Sequence, residues 1–278
     1  MSNLALTIEK ELSAAAEQDE LDLPTLPEVA LKIRETAGDR DVSVQRLAKV
    51  IAADPALSAQ LIKIANSPMF RAVRPIEDLT NAISRMGVVY AANLASGLAM
   101  KHMFQATSEV IDRKMRTIWT HATDVAAVAS VLASSFTDLA ADQATLGGLT
   151  HSIGALPILS WAEEHEELFP DESTLDRVIA SAQGSIGTMI LTRWNFPPEL
   201  ACIPTQMSNY DREIPDIDFV DVVQISELQV IIGTDHPLNE LDWSEISGFA
   251  RMGFDPDAAR ETLDSFRDAF QMARELYR

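Results

Sequence analysis

Apolar residues recur along most of the chain at intervals of three and four, and the recurrences start and stop at residues that punctuate helices. After "LDLPTLP", Pro27 is placed to open a helix that turns Val29, Ile33 and Leu31 inward, with Gly38 closing it. Ser43 is placed to cap "VQRLAKVIAA", in which Val44, Leu47, Val50 and Ile51 recur at helical spacing. Asp54 then Pro55 reads as a cap and a first-turn proline, opening "PALSAQLIKIAN" with Leu57, Leu61, Ile64 and Ala65 buried. Asp78 or Thr80 starts "NAISRM", Gly87 ends it, and "VVYAANLASGLAMKHMF" comes next as a longer apolar helix.

Beyond residue 107 the predicted helices lengthen. "SEVIDRKMRTIWTHATDVAAVASVLASSF" reads as one helix of roughly seven or eight turns, with an Ala-rich stripe that allows close packing. Residues 142–153, within "LGGLTHSIGALPIL", form the next, and Pro157 must kink or divide the chain after it. "TLDRVIASAQGSIGTMILTRW" is a helix ending near Asn195, Pro197-Pro198 starts another, and Asp255-Pro256 begins a terminal helix to about Tyr277. The stretch 218–233, "DFVDVVQISELQVIIG", has the β-branched residues of a strand, but its length and terminal Gly233 favour a helix. The expectation is an all-α protein without a repeat of fixed period. It divides into an extension (1–20), a helical bundle (21–105) and a second multi-helix part (106–278), with no Pro/Gly/Ser linker to hold the last two apart.

Composition narrows the class. Apolar residues are 47% and charged ones 23%, the balance of a soluble globular protein, and no run approaches the ~20 apolar residues of a membrane span. The N-terminus lacks a basic region and an apolar core, so no secretory signal is read there; one cysteine, Cys202, rules out an internal disulfide, and a cytoplasmic protein is expected. The net charge is −20, unevenly placed: residues 1–100 hold 10 Lys+Arg against 13 Asp+Glu, and residues 101–278 hold 12 against 29. Such a surface repels nucleic acid and lacks the basic face of an amphipathic membrane anchor, so neither partner is expected. The densest acidic block, "EEHEELFPDESTLD" (163–176), reads as a solvated linker.

The ordered motifs "LPTLPEVALKI", "DPALSAQLIKIANSPMF" and "NAISRMG", followed by "IWTHATDVAAVAS", "LGGLTHSIGALPIL" and "LTRWNFPPEL", resemble the HDOD domain, a relative of the HD-superfamily metal phosphohydrolases. The resemblance runs over roughly residues 20 to 235. It implies an N-terminal helical bundle packed against an HD-like multi-helix core, and a role in bacterial signal transduction rather than a demonstrated reaction.

It also implies where a catalytic centre would lie. HD enzymes hold a divalent metal with a histidine, a His-Asp pair and a later aspartate, because metal that activates water needs anionic and imidazole ligands from several helices. His121 matches the first histidine and His151 the first half of the pair, but Ser152 replaces the aspartate. Gln183 stands before Gly187 where active relatives carry a histidine, and "TQMSNY" replaces a histidine pair after "PPEL". His121 and His151 alone are too few ligands, so no metal or other cofactor is expected; the alternative is a divalent metal at His121 and His151. On the other reading both are core histidines bonded to backbone or to an acid such as Asp124, one turn from His121. Gly147-Gly148 reads as a close helix contact, and Trp119, Trp161 and Trp194 as packing residues.

The expected function is therefore a non-catalytic regulatory module that binds a protein or small ligand, with a metal-dependent phosphohydrolase as the alternative. No signalling partner is named by the chain, and its oligomeric state is open. The segment "NSPMFRAVRPIEDL" offers Met69, Phe70, Arg71 and Arg74, types enriched at binding hot spots, unless Met69 and Phe70 fold back onto the bundle.

Overall fold

The computed structural model describes residues 8, 22–70, 74–165, 169, 171–254 and 263–277. All regular structure among the described residues is helical. The first part contains α1 (Glu28–Ala37), α2 (Val44–Ile51), α3 (Pro55–Ala65), α4 (Leu79–Met86) and α5 (Val88–Ala99). Their N-termini carry the expected caps. Ser43 Oγ accepts from Arg46 N–H, Asp54 Oδ1 from Ala56 and Leu57 N–H at 3.0 Å each, and Asp78 Oδ1 from Asn81 N–H. Asp54→Ala removes the acceptor of two otherwise orphaned donors, so the expected loss is about 1 kcal/mol, read as a fall of roughly 2–4 °C in the thermal midpoint. Leu31, expected inward, is instead 45% exposed. Ile33 fixes the buried face with Ala30 and Thr36 at helical spacing, and Leu31 lies two positions from it, on the opposite side.

The second part is built around α6 (Glu109–Phe136), a single helix of 28 residues as its pattern predicts. Every residue from Ala122 to Ala133 is buried, so this helix is enclosed on all sides. Around it run α7 (Ala141–Thr150), α8 (Ala155–Glu164), α9 (Glu172–Arg193), the short α10 (Pro198–Ala201) and α11 (Ile203–Gln206), then α12 (Phe219–Ile231), α13 (Ser247–Arg251) and α14 (Arg267–Tyr277). The ambiguous stretch 218–233 is helical: α12 opens on a reciprocal capping box between Asp218 and Asp221.

Three expectations change here. The helix expected over 142–153 stops at Thr150. Pro157 has no N–H to offer Ile153 O, which takes Leu156 N–H instead at 3.2 Å, and residues 151–154 turn the chain between α7 and α8. The start expected at Asp255-Pro256 lies outside the described residues, and α14 begins at Arg267 after a turn at 265–266. The acidic block 163–176 is no free linker. Glu163 accepts from Thr107 N–H at 2.8 Å and Thr107 Oγ1–H at 2.6 Å, Asp171 caps α9, and Asp176 pairs with Lys114.

Polar ties join the two parts. Arg34 donates to Trp194 O and Asn195 O at 2.7 and 2.9 Å, and Trp194 Nε1–H to Pro24 O at 3.0 Å. From the other end, Gln60 and Lys63 of α3 donate to Tyr277 O and Glu275 O of α14 at 2.7 and 2.8 Å.

Candidate functional site

The α7–α8 joint is held against its neighbours by two glycines. A Cβ at Gly148 would stand 2.5 Å from Ala126 Cα on α6, and one at Gly154 would stand 2.0 Å from Gln183 O on α9. Both contacts are backbone to backbone, which only glycine permits. They press the intervening His151 into the interior, facing α6 and α12.

Three side chains converge there. His121 of α6 donates from Nε2 to Glu227 Oε2 of α12 at 2.7 Å. His151 Nδ1 lies 2.7 Å from Gly148 O, so that nitrogen carries the proton and Nε2 keeps a lone pair. That lone pair faces Glu227 Oε2 at 3.7 Å, too far for a hydrogen bond. One ligand atom from each of the three lies within 4.8 Å of the others.

The electrostatics reflect this geometry. Burial pushes the His121 imidazole down, but the hydrogen bond and charge of Glu227, with the charge of Asp124, hold it above its ordinary value. Burial likewise favours protonated Glu227, and His121 and His151 outweigh it, leaving the carboxyl below its usual range. For His151 burial dominates and depresses the imidazole despite Glu227. These directions favour an imidazolium–carboxylate pair of His121 and Glu227 beside a neutral His151 imidazole. Burial also pushes the Tyr210 phenol up, with Glu227 adding to it.

The remaining residues are placed differently from what their positions imply. Asp124 is not the partner of His121; its Oδ2 accepts from Arg274 Nη2 of α14 at 2.7 Å. Ser152 is buried and its hydroxyl has no hydrogen-bond partner among the described residues. Gln183 meets the joint through its backbone at Gly154, and its half-buried side chain makes no hydrogen bond among the described residues. In the "TQMSNY" segment, Gln206 O and Asn209 O accept from Gln224 Nε2–H at 2.8 and 2.9 Å, which ties it to α12 one turn before Glu227. Of the surface candidates, Met69 and Phe70 are half-buried. Met69 Sδ accepts from Tyr90 OH at 3.7 Å, and the Phe70 ring meets Tyr90 edge-on at 5.1 Å, so both turn back onto the bundle. Arg74 is exposed, and Arg71 lies outside the described residues. Trp161 stacks on His165, Trp119 packs on Phe104, and burial raises the Cys202 thiol away from the reactive thiolate.

Glu227 is the functional residue that sequence reasoning misses. Its signal was available: in "VVQISELQVII" it is the one acid in a run buried nearly all round, six residues beyond the capping Asp221, and a buried carboxylate needs a partner.

Residues 23–209 match the HDOD domain. The chain belongs to the HDOD domain family. Over its full length this HDOD protein is similar to a candidate metal-dependent phosphohydrolase of Shewanella amazonensis SB2B, at 29% identity and a TM-score of 0.86, with 100% of each chain covered. It shares the fold of an HDOD domain protein of unknown function from Geobacter sulfurreducens (19% identity, TM-score 0.66, 98% of each chain). A candidate signal transduction protein of Marinobacter aquaeolei VT8 has it too (21% identity, TM-score 0.63, 100% of this chain and 67% of that one). A relative in sequence is an uncharacterized protein of Treponema pallidum (strain Nichols), 27% identical over 207 residues. That match covers 70% of this chain and 39% of the relative, so the HDOD protein spans about two fifths of the relative's length. Glu227 and Arg274 both fall beyond the matched residues 23–209.

Proposed function

We propose that this HDOD protein is a regulatory module of signal transduction that acts by binding a protein or small ligand, without turnover. The observation that carries this reading is the state of the acids. Glu227 is the single carboxylate in the cluster and is paired with His121 at 2.7 Å. Asp124 is held by Arg274, and the position of the His-Asp aspartate carries the neutral hydroxyl of Ser152. Hydrolysis of a phosphoester needs an anionic ligand set and a base beyond it, and among the described residues no second carboxylate joins these three.

A second reading is favoured by the same cluster. His121, His151 and Glu227 give two imidazoles and a carboxylate, one ligand more than the sequence discloses, and this donor set suits Zn or Fe. The Gly148 carbonyl already fixes His151 with Nε2 unprotonated, as a metal ligand requires. A divalent ion held by these three would supply Lewis-acid activation of water or of a phosphoryl oxygen.

Metal analysis of protein purified without chelator, together with hydrolysis assays, separates the two. Metal below one ion per chain is expected, with hydrolysis of phosphomonoesters, cyclic nucleotides and nucleoside triphosphates at background. Stoichiometric metal with turnover abolished in His151→Ala would sink the binding-only reading.

A further inference from the structure

The helices of the second part differ in how firmly they are held. In α12 every residue but Gln229 is buried, and α6 is enclosed from Ala122 to Ala133. α14 buries only Phe270, Ala273 and Tyr277, a narrow stripe at helical spacing. The hydrogen bonds that tie it to other helices, among the described residues, all lie in its last turn. Arg274 Nη2 donates to Asp124 Oδ2 of α6 at 2.7 Å. Glu275 O and Tyr277 O, carbonyls that α14 cannot pair within itself, accept from Lys63 Nζ and Gln60 Nε2 of α3 at 2.8 and 2.7 Å. The Tyr277 ring is 1% exposed, and its hydroxyl lies 3.4 Å from Tyr90 OH of α5, itself 3.2 Å from Ser130 Oγ of α6. One helical turn thus grips both parts of the chain and the carboxylate one turn from His121.

We propose that α14 is a releasable strap. Closed, it clasps the bundle to α6 and covers Asp124; released as a unit, it opens that joint and widens the cleft that His121, Asp124 and Arg274 line together. The inference concerns a change of state in the chain and does not depend on whether the His–Glu–His cluster turns over. Local opening takes place where few apolar contacts hold an element. Three buried side chains, one of them an alanine, oppose the detachment of α14, against twelve buried residues in α12. Its polar anchors exchange readily for water. Lys63 is exposed, and Arg274 pairs through one nitrogen while its buried Nε has no hydrogen-bond partner among the described residues. Release hydrates that Nε and also Asp124, whose side chain is 4% exposed beneath Arg274, so the parted pair leaves no charge stranded in the interior. Arg34 on Trp194 O and Asn195 O holds the opposite end of the joint, and keeps the two parts connected when α14 leaves. Because the anchors occupy the last turn, fraying from that end is opposed and α14 opens in one step. α14 lies beyond the matched residues 23–209, so the strap is an addition to the matched domain.

Thiol labelling of the full chain, with Cys202→Ser to silence its one native thiol, tests this. Ala273→Cys puts a thiol on the buried face of α14, and Ser226→Cys puts one inside α12 as a reference. Under native conditions Ala273→Cys is expected to react with an aromatic disulfide reagent roughly a hundred-fold faster than Ser226→Cys. Gln60→Ala with Lys63→Ala should speed the Ala273→Cys reaction about ten-fold and leave Ser226→Cys unchanged, since both side chains reach α14 only at its carbonyls. Arg274→Ala should speed it likewise, which couples the cleft beside His121 to the strap. Amide exchange of the unsubstituted chain gives a second measurement that no variant can spoil: the α14 amides should exchange together, ahead of those of α12, with the last turn no faster than Phe270–Ala273. Equal reactivity of the two thiols, no acceleration in the α3 double variant or in Arg274→Ala, or α14 amides as protected as those of α12 overturns the strap and makes α14 a fixed part of the fold. The binding-only reading stands or falls separately, on metal and turnover.

Discussion

Asp221→Ala is expected to lower the thermal midpoint by roughly 6–15 °C, corresponding to about 3–5 kcal/mol. Asp221 is fully buried, and Arg251 grips it with both ends of its guanidinium, Nε to Oδ2 at 2.8 Å and Nη2 to Oδ1 at 2.7 Å. Arg212 adds a third charge at 3.7 Å. Both arginines are largely buried themselves; alanine would leave the Arg251 guanidinium short of its anion in the interior, while Arg212 keeps its pair with Asp218. The same substitution removes one half of the α12 capping box and the acid at its first turn. Asp221→Asn keeps the shape and loses the charge, so its loss should be intermediate. A change below about 1 kcal/mol in Asp221→Ala would mean that desolvation already offsets the pairing. Because α12 carries Glu227 six residues on, the loss should also loosen the His–Glu–His cluster.

What the sequence discloses depends on how far apart the cause and its effect lie along the chain. Caps at Ser43, Asp54 and Asp78 act on donors two or three residues away, so their spacing reads directly. Pro157 announces a break but not its place, because the break falls where Ile153 O must find another donor. Leu31 fails for reasons of phase: one apolar residue more than the face can hold, with Ile33 and Ala30 deciding which one is left outside. The site is legible only in halves. His121 and His151 stand in recognisable motifs, but His121 meets Glu227 across 106 positions and Asp124 meets Arg274 across 150. Nothing local pairs those residues; tertiary packing of α6 with α12 and α14 does. Glu163 shows the same limit, since a carboxylate in an acidic run reads as solvated until Thr107 is brought to it.

His121→Ala is expected to cost about 2–4 kcal/mol near pH 6. This is less than the full penalty for breaking a buried pair, because His121 keeps 31% of its side chain exposed. The loss should depend on pH in a definite direction. The folded-state value of His121 is raised, so its contribution is complete below about pH 6.5 and disappears as pH rises through the raised value. The value of Glu227 is lowered, so its contribution holds above its ordinary range and disappears as pH falls through the lowered one. The difference between wild type and His121→Ala should therefore be greatest between those limits and shrink toward alkaline pH, as urea denaturation at successive pH values would show. His151 works the other way: burial keeps it neutral, so acidification below about pH 6.5 costs stability while the unfolded chain takes up a proton. That loss occurs in both proteins and largely cancels, although removing His121 also removes a charge that opposes protonation of His151. Asp124 and Arg274, the remaining charges beside His121, are unchanged in the comparison. A difference that stays flat with pH would mean His121 is neutral and Glu227 is held by something else. A difference that grows toward alkaline pH and is abolished by chelator would mean a metal has displaced the proton, since metal binding requires deprotonated imidazole.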